Sequence, residues 1–150
     1  MKVRRASKAD IEQVVALGVQ MHAEGAYAFL PFDPERARAF VAESIEEEEQ
    51  CLWVAEEAGA VVGMLAGSVS EYYFCSELVA CDLVFYVERR HRRGSAAVRL
   101  IGAFREWARE QGARELALAT SLGVPGDRAG QFYERLGFTR VGGVYKQRLD

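Results

Sequence analysis

The sequence predicts a mixed α/β protein of the α+β type, in which helices pack on one sheet. Two segments, 11–22 and 94–110, carry apolar residues at the spacing of an amphipathic helix. The middle of the chain, from 51 to 87, has the strand and turn pattern of a β-rich region. Because these elements are interleaved along only 150 residues, we expect them to share one sheet and its covering helices.

The N-terminal third is predicted to contain one strand and two helices. Ser7 can cap the first turn of the first helix, and Asp10 lies among the free amide groups of that turn. Pro34 is tolerated in the first turn of the second helix because an N–H group there would be unpaired in any case. The predicted elements are a strand over 2–6, a helix from 7 to about 22, an aromatic loop over 25–34 and a helix from 33 to about 48.

The rest of the chain is predicted to alternate between strands and helices. The segment 78–87 is largely apolar, which is typical of a strand covered on both faces. Gly112 and Gly137 are placed to end the two later helices. The predicted elements are strands over 51–55, 60–70, 78–87 and 115–120, helices over 94–110 and 128–136, a loop over 121–127 and two closing strands over 138–141 and 144–149.

Composition argues against several classes of protein. The net charge is −3, whereas general nucleic-acid binders are usually basic. Three cysteines without CxxC spacing and only two histidines argue against a disulfide framework and against a zinc site. The N-terminus lacks the apolar core of a signal peptide, and no apolar run approaches membrane-spanning length. We therefore expect one cytosolic domain over residues 1–150, without a metal and without a membrane or nucleic-acid partner.

The strongest chemical signal is an arginine-rich turn between a strand and a helix. Four arginines lie within 89–93, and three small residues, 94–96, follow them. A helix begins with unpaired N–H groups and a partial positive charge, and small residues let a phosphate approach them closely. Arg92 and Arg93 can add charge-assisted hydrogen bonds. The segment is neither a Walker loop nor a GxGxxG fingerprint, and a solvated basic turn is an equally good interpretation of this motif alone.

Two motifs and their order resemble the GNAT superfamily of N-acetyltransferases. That family carries [RQ]-x-x-G-x-[GA] between its fourth strand and third helix, and residues 91–96 read His-Arg-Arg-Gly-Ser-Ala. A second feature is an alanine and a tyrosine followed by a GF pair, here Ala129, Tyr133 and 137–138. The order of predicted elements matches the family over nearly the whole chain. The departures are His91 in place of arginine or glutamine, Gly126 and Asp127 in place of an asparagine, and Glu88 in place of a proline.

The resemblance implies a mostly antiparallel twisted sheet with helices on both faces, in which strands four and five splay apart to hold acetyl-CoA. The pantetheine arm would pair with the fourth strand like an added strand, and the pyrophosphate would lie on the amides of the loop. An amine would attack the thioester directly, without an acyl-enzyme. Family members often dimerise through their terminal strands, here 138–149. The implied cofactor-binding residues are Phe85, Tyr86, Val87, His91, Arg92, Arg93, Gly94, Ser95, Ala96 and Ala97.

Direct transfer needs a base and an acid, and two residues are candidates. Tyr133 matches the family position of the donor that protonates the departing thiolate, and a phenol keeps its proton at neutral pH. Asp82 is a carboxylate in an apolar strand, where burial raises a carboxyl pKa and suits a base. Alternation groups Asp82 with Val84 and Tyr86, on the acceptor side. A packing role for Tyr133 and a structural role for Asp82 stay open.

Weaker candidates and other functions are also open. Glu71 and Glu77 are weaker bases, a base acting through water is a further option, and Cys75 and Cys81 have no histidine nearby in the sequence that would make them nucleophiles. The leading hypothesis is an N-acetyltransferase acting on a primary amine of a small molecule or peptide. The alternatives are a non-catalytic acyl-CoA-binding module of the same fold and an interaction domain built on the arginine turn. Loop aromatics that can shape an amine pocket are Tyr27, Phe29, Phe32, Tyr72, Tyr73 and Phe74.

Overall fold

The computed structural model describes residues 1–120 and 128–150, and the predicted loop over 121–127 lies outside them. No helix in these two ranges is long and apolar enough to cross a membrane. The strands are β1 (Lys2–Arg5), β2 (Gln50–Glu57), β3 (Ala60–Glu71), β4 (Leu78–Val87) and β5 (Ala113–Ala117), and the helices are α1 (Ile11–Glu24), α2 (Pro34–Glu46), α3 (Ala96–Glu110) and α4 (Arg128–Arg135).

The five described strands form one sheet in the order β1-β2-β3-β4-β5. The pairs from β1 to β4 are antiparallel, and β4 pairs with β5 in parallel. A parallel pair needs a crossover connection, which α3 supplies. The prediction of a mostly antiparallel sheet is confirmed.

Helices cover both faces of the sheet, as predicted. On one face α3 buries Leu100, Ile101 and Phe104 against the strands, together with Tyr133 of α4. On the other face α1 and α2 pack over the sheet. The contact of α3 is unusually close at Gly67, where a Cβ atom would lie 2.3 Å from the Phe104 ring.

Side chains at two helix starts cap the backbone as the sequence suggests. The Oδ1 atom of Asp33 accepts hydrogen bonds from the amides of Glu35 and Arg36 at 3.0 and 3.3 Å. The Oδ2 atom of Asp10 accepts from the amide of Ser7 at 2.7 Å. Both carboxylates occupy amides that would otherwise be unpaired.

The prediction of two closing strands, over 138–141 and 144–149, is wrong. Residues 138–150 form no strand. An isolated hairpin is marginally stable in water, and within the described residues no strand pairs with this segment. Val141 and Tyr145 are 96% and 97% exposed, so burial in a core does not support a hairpin here either.

The C-terminal segment instead contacts the loop between α1 and α2. Lys146 lies over the ring of Tyr27, 4.2 Å from its centroid, and Arg148 lies over the ring of Phe29 at 3.7 Å. Lys146 and Arg148 are two residues apart in the sequence, and so are Tyr27 and Phe29. These cation–π contacts hold two polar residues of the segment and leave its apolar side chains exposed.

Candidate functional site

The strands β4 and β5 separate partway along β4. Their register runs from Leu78 opposite Ala113 to Cys81 opposite Ala117, where it ends. Beyond that point residues 82–87 pair with β3 on one side and with no strand of the described residues on the other. A free strand edge offers N–H and C=O groups to an extended ligand.

The N-terminus of α3 follows the separated end of β4 and is uncapped. The Ser95 side chain makes no capping hydrogen bond, unlike Asp33 at the start of α2. Unpaired amides at a helix N-terminus, with the helix dipole, bind phosphate groups. Within the described residues, the amides of Arg93, Ser95, Ala96 and Ala97 at this turn have no acceptor.

The arginine side chains at this turn differ in what they contact. The Arg92 guanidinium donates to Glu24 at 2.6 Å and to the carbonyl oxygen of Val87 at 2.8 Å, and it lies over the ring of Tyr86. Arg93 has no side-chain partner in the described part of the chain. Arg93 is therefore available to an anion, whereas Arg92 is committed to Glu24.

Glu24 also binds the hydroxyl group of Tyr86. The Tyr86 hydroxyl donates to Glu24 at 2.7 Å, and burial, reinforced by this carboxylate, raises the pKa of Tyr86 to about 12. The hydrogen bond from Arg92 lowers the pKa of Glu24. The side chains of Tyr86 and Arg92, both predicted to bind cofactor, thus tie β4 and the turn to the end of α1.

His91 lies between two carboxylates. Its Nε2 atom is 3.0 Å from Glu57, and its Nδ1 atom is 3.1 Å from Glu88. The second contact has the distance of an ion pair but lacks hydrogen-bond geometry. The ring therefore anchors the turn to the end of β2.

A bulge in β4 changes which way Asp82 faces. The adjacent β3 residues 66–67 pair with Val84 and Asp82, so Leu83 has no partner and the alternation reverses there. Val84 and Tyr86 face α1 and α2. Asp82 lies opposite Gly67 and faces α3. The prediction that Asp82 shares a face with Val84 and Tyr86 is wrong for this reason.

The bulge brings Asp82 close to Tyr133. The amide of Ala119 donates to Asp82 Oδ1 at 3.0 Å, and the Tyr133 hydroxyl donates to the carbonyl oxygen of Ala119 at 3.3 Å. Burial raises the pKa of Asp82. Burial and the nearby Asp82 charge raise the pKa of Tyr133 well above its usual range. A proton acceptor and a proton donor thus lie together where β4 and β5 separate.

Comparison with known proteins decides the family. The model of the acetyltransferase (GNAT) family matches residues 8–138. The chain belongs to the GNAT acetyltransferase family. It is an N-acetyltransferase with acetyl-CoA as co-substrate.

Solved GNAT structures share the fold at low sequence identity. AAC(6')-Iy in complex with the bisubstrate analogue CoA-S-monomethyl-acetylneamine is 22% identical with a TM-score of 0.78, over 99% of this chain and 97% of that chain. A transcriptional regulator from Bacillus halodurans C-125 is 25% identical with a TM-score of 0.77, over 99% of both chains. A ribosomal-protein-alanine N-acetyltransferase from Brucella melitensis biovar Abortus 2308 is 17% identical with a TM-score of 0.72, over 99% of this chain and 100% of that chain. No curated protein sequence matches significantly.

The GNAT site fits an acyl-CoA ester in two respects. A pantetheine arm contains amide groups that can pair with the free edge of β4 over 82–87. A diphosphate can accept hydrogen bonds from the open amides of α3 and from Arg93. The two features follow one another along the chain, as an extended ligand with a phosphate group requires.

Tyr133 of the acetyltransferase is positioned by the end of its helix. The amide of Phe138 donates to the carbonyl oxygen of Tyr133 at 3.1 Å, and that of Gly137 donates to Glu134 at 3.0 Å. Gly137 has a φ of 90°, which glycine adopts without strain. The ring of Phe138 packs 5.9 Å from that of Tyr133. The GF pair of the family motif therefore fixes the catalytic candidate in place.

The weaker candidates lie at the paired end of β4. Glu71 and Glu77 flank the connection before Leu78, and the Tyr72 hydroxyl there donates to Glu115 at 2.5 Å. Burial raises the pKa of the Cys81 thiol, which disfavours the nucleophilic thiolate.

Three features of the GNAT site were missed by reasoning from the sequence. Glu24 holds Arg92, Leu83 forms the bulge, and Ala119 links the two catalytic candidates through its backbone. Glu24 is one of many exposed helix-end glutamates, and a backbone link carries no residue signature. In a largely apolar segment such as 78–87, the residues that face the two sides of the sheet are alike in the sequence. A bulge that reverses the alternation of side chains is therefore not visible there.

Proposed function

We propose that this acetyltransferase moves an acetyl group directly from acetyl-CoA to a primary amine of a small molecule or peptide. The proposal rests on Asp82 and Tyr133 meeting, through Ala119, at the point where β4 and β5 separate. A carboxylate and a phenol at one place are sufficient for the two proton movements of direct transfer. The thioester of acetyl-CoA supplies the activated acetyl group.

Asp82 acts as the base and Tyr133 as the acid. The amine nitrogen bonds to the acetyl carbon, the C–S bond breaks, and an amine proton passes to Asp82. Tyr133 donates its proton to the departing sulfur, and exchange of one proton from Asp82 to Tyr133, through solvent, restores both groups. The raised pKa of Asp82 suits proton acceptance near neutral pH.

The cofactor is held by the edge of β4 and by the turn before α3. Phe85, Tyr86 and Val87 offer backbone groups to the pantetheine arm. Support for the pyrophosphate position comes from the open amides of Arg93, Ser95, Ala96 and Ala97. Gly94 keeps the approach clear, and the side chains of His91 and Arg92 hold the turn rather than the phosphate.

The protein acts in the cytosol as one domain over 1–150, and two copies associate. Val141, Val144, Tyr145 and Leu149 are exposed apolar residues of the C-terminal segment, and β5 is the edge of the described sheet. A second copy that pairs with this segment would bury both.

The decisive experiment is an acetyl-transfer screen read by release of free thiol from acetyl-CoA. Amino acids, polyamines, aminoglycosides and short peptides are supplied as acceptors, and the melting temperature is measured with and without acetyl-CoA. We expect acetyl-CoA to raise the melting temperature and at least one amine to release thiol. Stabilisation without any transfer would favour the acyl-CoA-binding module, and no stabilisation at millimolar acetyl-CoA would contradict the cofactor site.

A further inference from the structure

A cavity of about 350 Å³ lies between α1, α2 and the sheet. It is on the face of the sheet opposite the Asp82 side chain, and it is not part of the phosphate site. Its volume is in the range of small-molecule sites. The lining residues that matter below are Gly18, Phe32, Asp33, Arg36, Ala37 and Val84.

Val84 connects this cavity to the transfer site. Its side chain lines the cavity, and its backbone belongs to the stretch 82–87, which has no partner strand on the β5 side within the described residues. A molecule in the cavity therefore contacts β4 at the bulge, on the face opposite the Asp82 side chain, and its amine reaches Asp82 through the gap where β5 no longer pairs with β4. Acceptor and acetyl-CoA can approach that point from opposite faces of the sheet.

The lining of the cavity is apolar, with one cation lacking a partner. Most of its residues are aliphatic or aromatic. The lining carboxylate, Asp33, uses Oδ1 to cap α2. Arg36 is exposed, and its guanidinium has no partner in the described part of the chain. Asp33 is the one acidic residue of this lining in the described chain and can pair with a single ammonium group, so several ammonium groups against this apolar wall would lack partners.

We infer that this cavity holds the body of the acceptor, and that the acceptor is a primary amine on an apolar body with an acidic group directed to Arg36. The inference rests on the proposed transfer to a primary amine and specifies the class of that amine. It differs from the polycationic neamine portion of the analogue bound to AAC(6')-Iy. An arginine binds a carboxylate through two parallel hydrogen bonds.

Three acceptors test the class: phenethylamine, 4-(2-aminoethyl)benzoate and neamine. We expect kcat/KM to be highest for the carboxylated amine and at least about tenfold lower for neamine, since a charge-assisted pair is worth about 1.5–3 kcal/mol. Arg36→Gln should remove the advantage of the carboxylate, so that the carboxylated amine and phenethylamine have similar kcat/KM values. A higher kcat/KM for neamine than for both aryl amines would overturn the inference.

Two variants fill the cavity without touching the transfer site. A Cβ at Gly18 would lie 3.6 Å from the Phe32 ring, an ordinary contact, and leucine favours helix over glycine, so Gly18→Leu should fold. Ala37→Leu fills the cavity from α2, and Val19→Leu, on the exposed side of α1, is the matched control. We expect both filling variants to raise KM for phenethylamine at least fivefold, while the control keeps the wild-type value.

Binding of each partner is measured separately, so that failures can be assigned. Acetyl-CoA should raise the melting temperature of wild type and of Gly18→Leu equally. Phenethylamine, added with CoA, should raise that of wild type only. If acetyl-CoA fails to stabilise wild type, the proposed cofactor site is wrong. If acetyl-CoA stabilises both proteins but the amine stabilises neither, or both alike, the cavity is not the acceptor site.

Discussion

At the residue scale, the backbone of Ala119 holds two side chains that have opposite proton chemistry. Its N–H group donates to Asp82 and its carbonyl oxygen accepts from Tyr133. Burial, together with the nearby Asp82 carboxylate, raises the pKa of the Tyr133 phenol. A phenol with a raised pKa stays protonated at neutral pH, and the resting enzyme therefore keeps its acid ready.

Replacing Tyr133 by phenylalanine removes the acid but keeps the packing of the ring. We expect kcat to fall about 100-fold, the usual contribution of a positioned acid, with little change in KM for acetyl-CoA. Tyr72→Phe is the control, because the Tyr72 hydroxyl contacts Glu115 at the paired end of β4. Steady-state kinetics at saturating substrates measures both, and an unchanged kcat for Tyr133→Phe would rule out the acid role.

The pKa of Asp82 predicts how activity depends on pH. The base works only when ionised, and burial raises its pKa, so kcat/KM should fall as the pH drops through that raised value. Asp82→Asn should be far less active, and its remaining kcat/KM should no longer fall on the acidic side of the pH profile. The folded state binds this proton more tightly than the unfolded chain does. The Asp82 contribution to stability is therefore lost as pH rises through the raised pKa.

Thermal denaturation separates the two roles of Asp82. Asparagine can still accept the hydrogen bond from the Ala119 amide, and it removes a buried charge. The melting temperature of Asp82→Asn should therefore match or exceed that of wild type at neutral pH. A variant that loses activity only because it unfolds would contradict the assignment of Asp82 as base.

At the element scale, the uncapped start of α3 contrasts with the capped start of α2. Asp33 accepts hydrogen bonds from amides of α2, whereas several amides around Ser95 have no acceptor in the described ranges. The unpaired amides lower the stability of the free protein, and hydrogen bonds to a bound phosphate would restore it. The ion pair of Arg92 with Glu24 keeps the turn in shape before the cofactor arrives.

Gly94→Val tests whether the phosphate lies on this turn. A Cβ at Gly94 would be 3.4 Å from the carbonyl oxygen of His91, so the fold should tolerate the change while the branched side chain crowds the amides. We expect KM for acetyl-CoA to rise at least tenfold and the melting temperature without ligand to change little. Gly102→Val, inside α3, is the control, because a Cβ there meets nothing within 4 Å. Equal acetyl-CoA affinity in wild type and Gly94→Val would show that the phosphate binds elsewhere.

The sequence predicts elements best where local chemistry decides them. The bounds of β4 are predicted correctly as 78–87, and Asp33 marks the start of α2. The predicted strand over 115–120 begins two residues and ends three residues later than β5 (Ala113–Ala117), since pairing with β4 sets the position of β5. The phosphate turn and Tyr133 follow from motif residues. The bulge at Leu83 depends on the register between β4 and β3. The residues of a largely apolar strand do not reveal that register in the sequence.

At the scale of the whole molecule, the C-terminal segment pairs with no strand of the described chain and leaves apolar side chains exposed. The two strands predicted over 138–141 and 144–149 would be joined by Gly142 and Gly143. Strand formation also needs pairing with a neighbouring strand and burial in a core, and within the described chain this segment has neither. The same residues would form strands if they paired with a second copy.

We therefore expect the acetyltransferase to be a dimer. Light scattering coupled to gel filtration should give about twice the chain mass of 16.7 kDa. Val141→Lys combined with Tyr145→Lys should give the monomer mass, because charges on these exposed side chains oppose burial between copies without disturbing the core. Val19→Lys, an equally drastic change on exposed α1, should remain dimeric. A wild-type protein that stays monomeric at tens of micromolar would show that the segment is exposed in solution, as it is in the single chain.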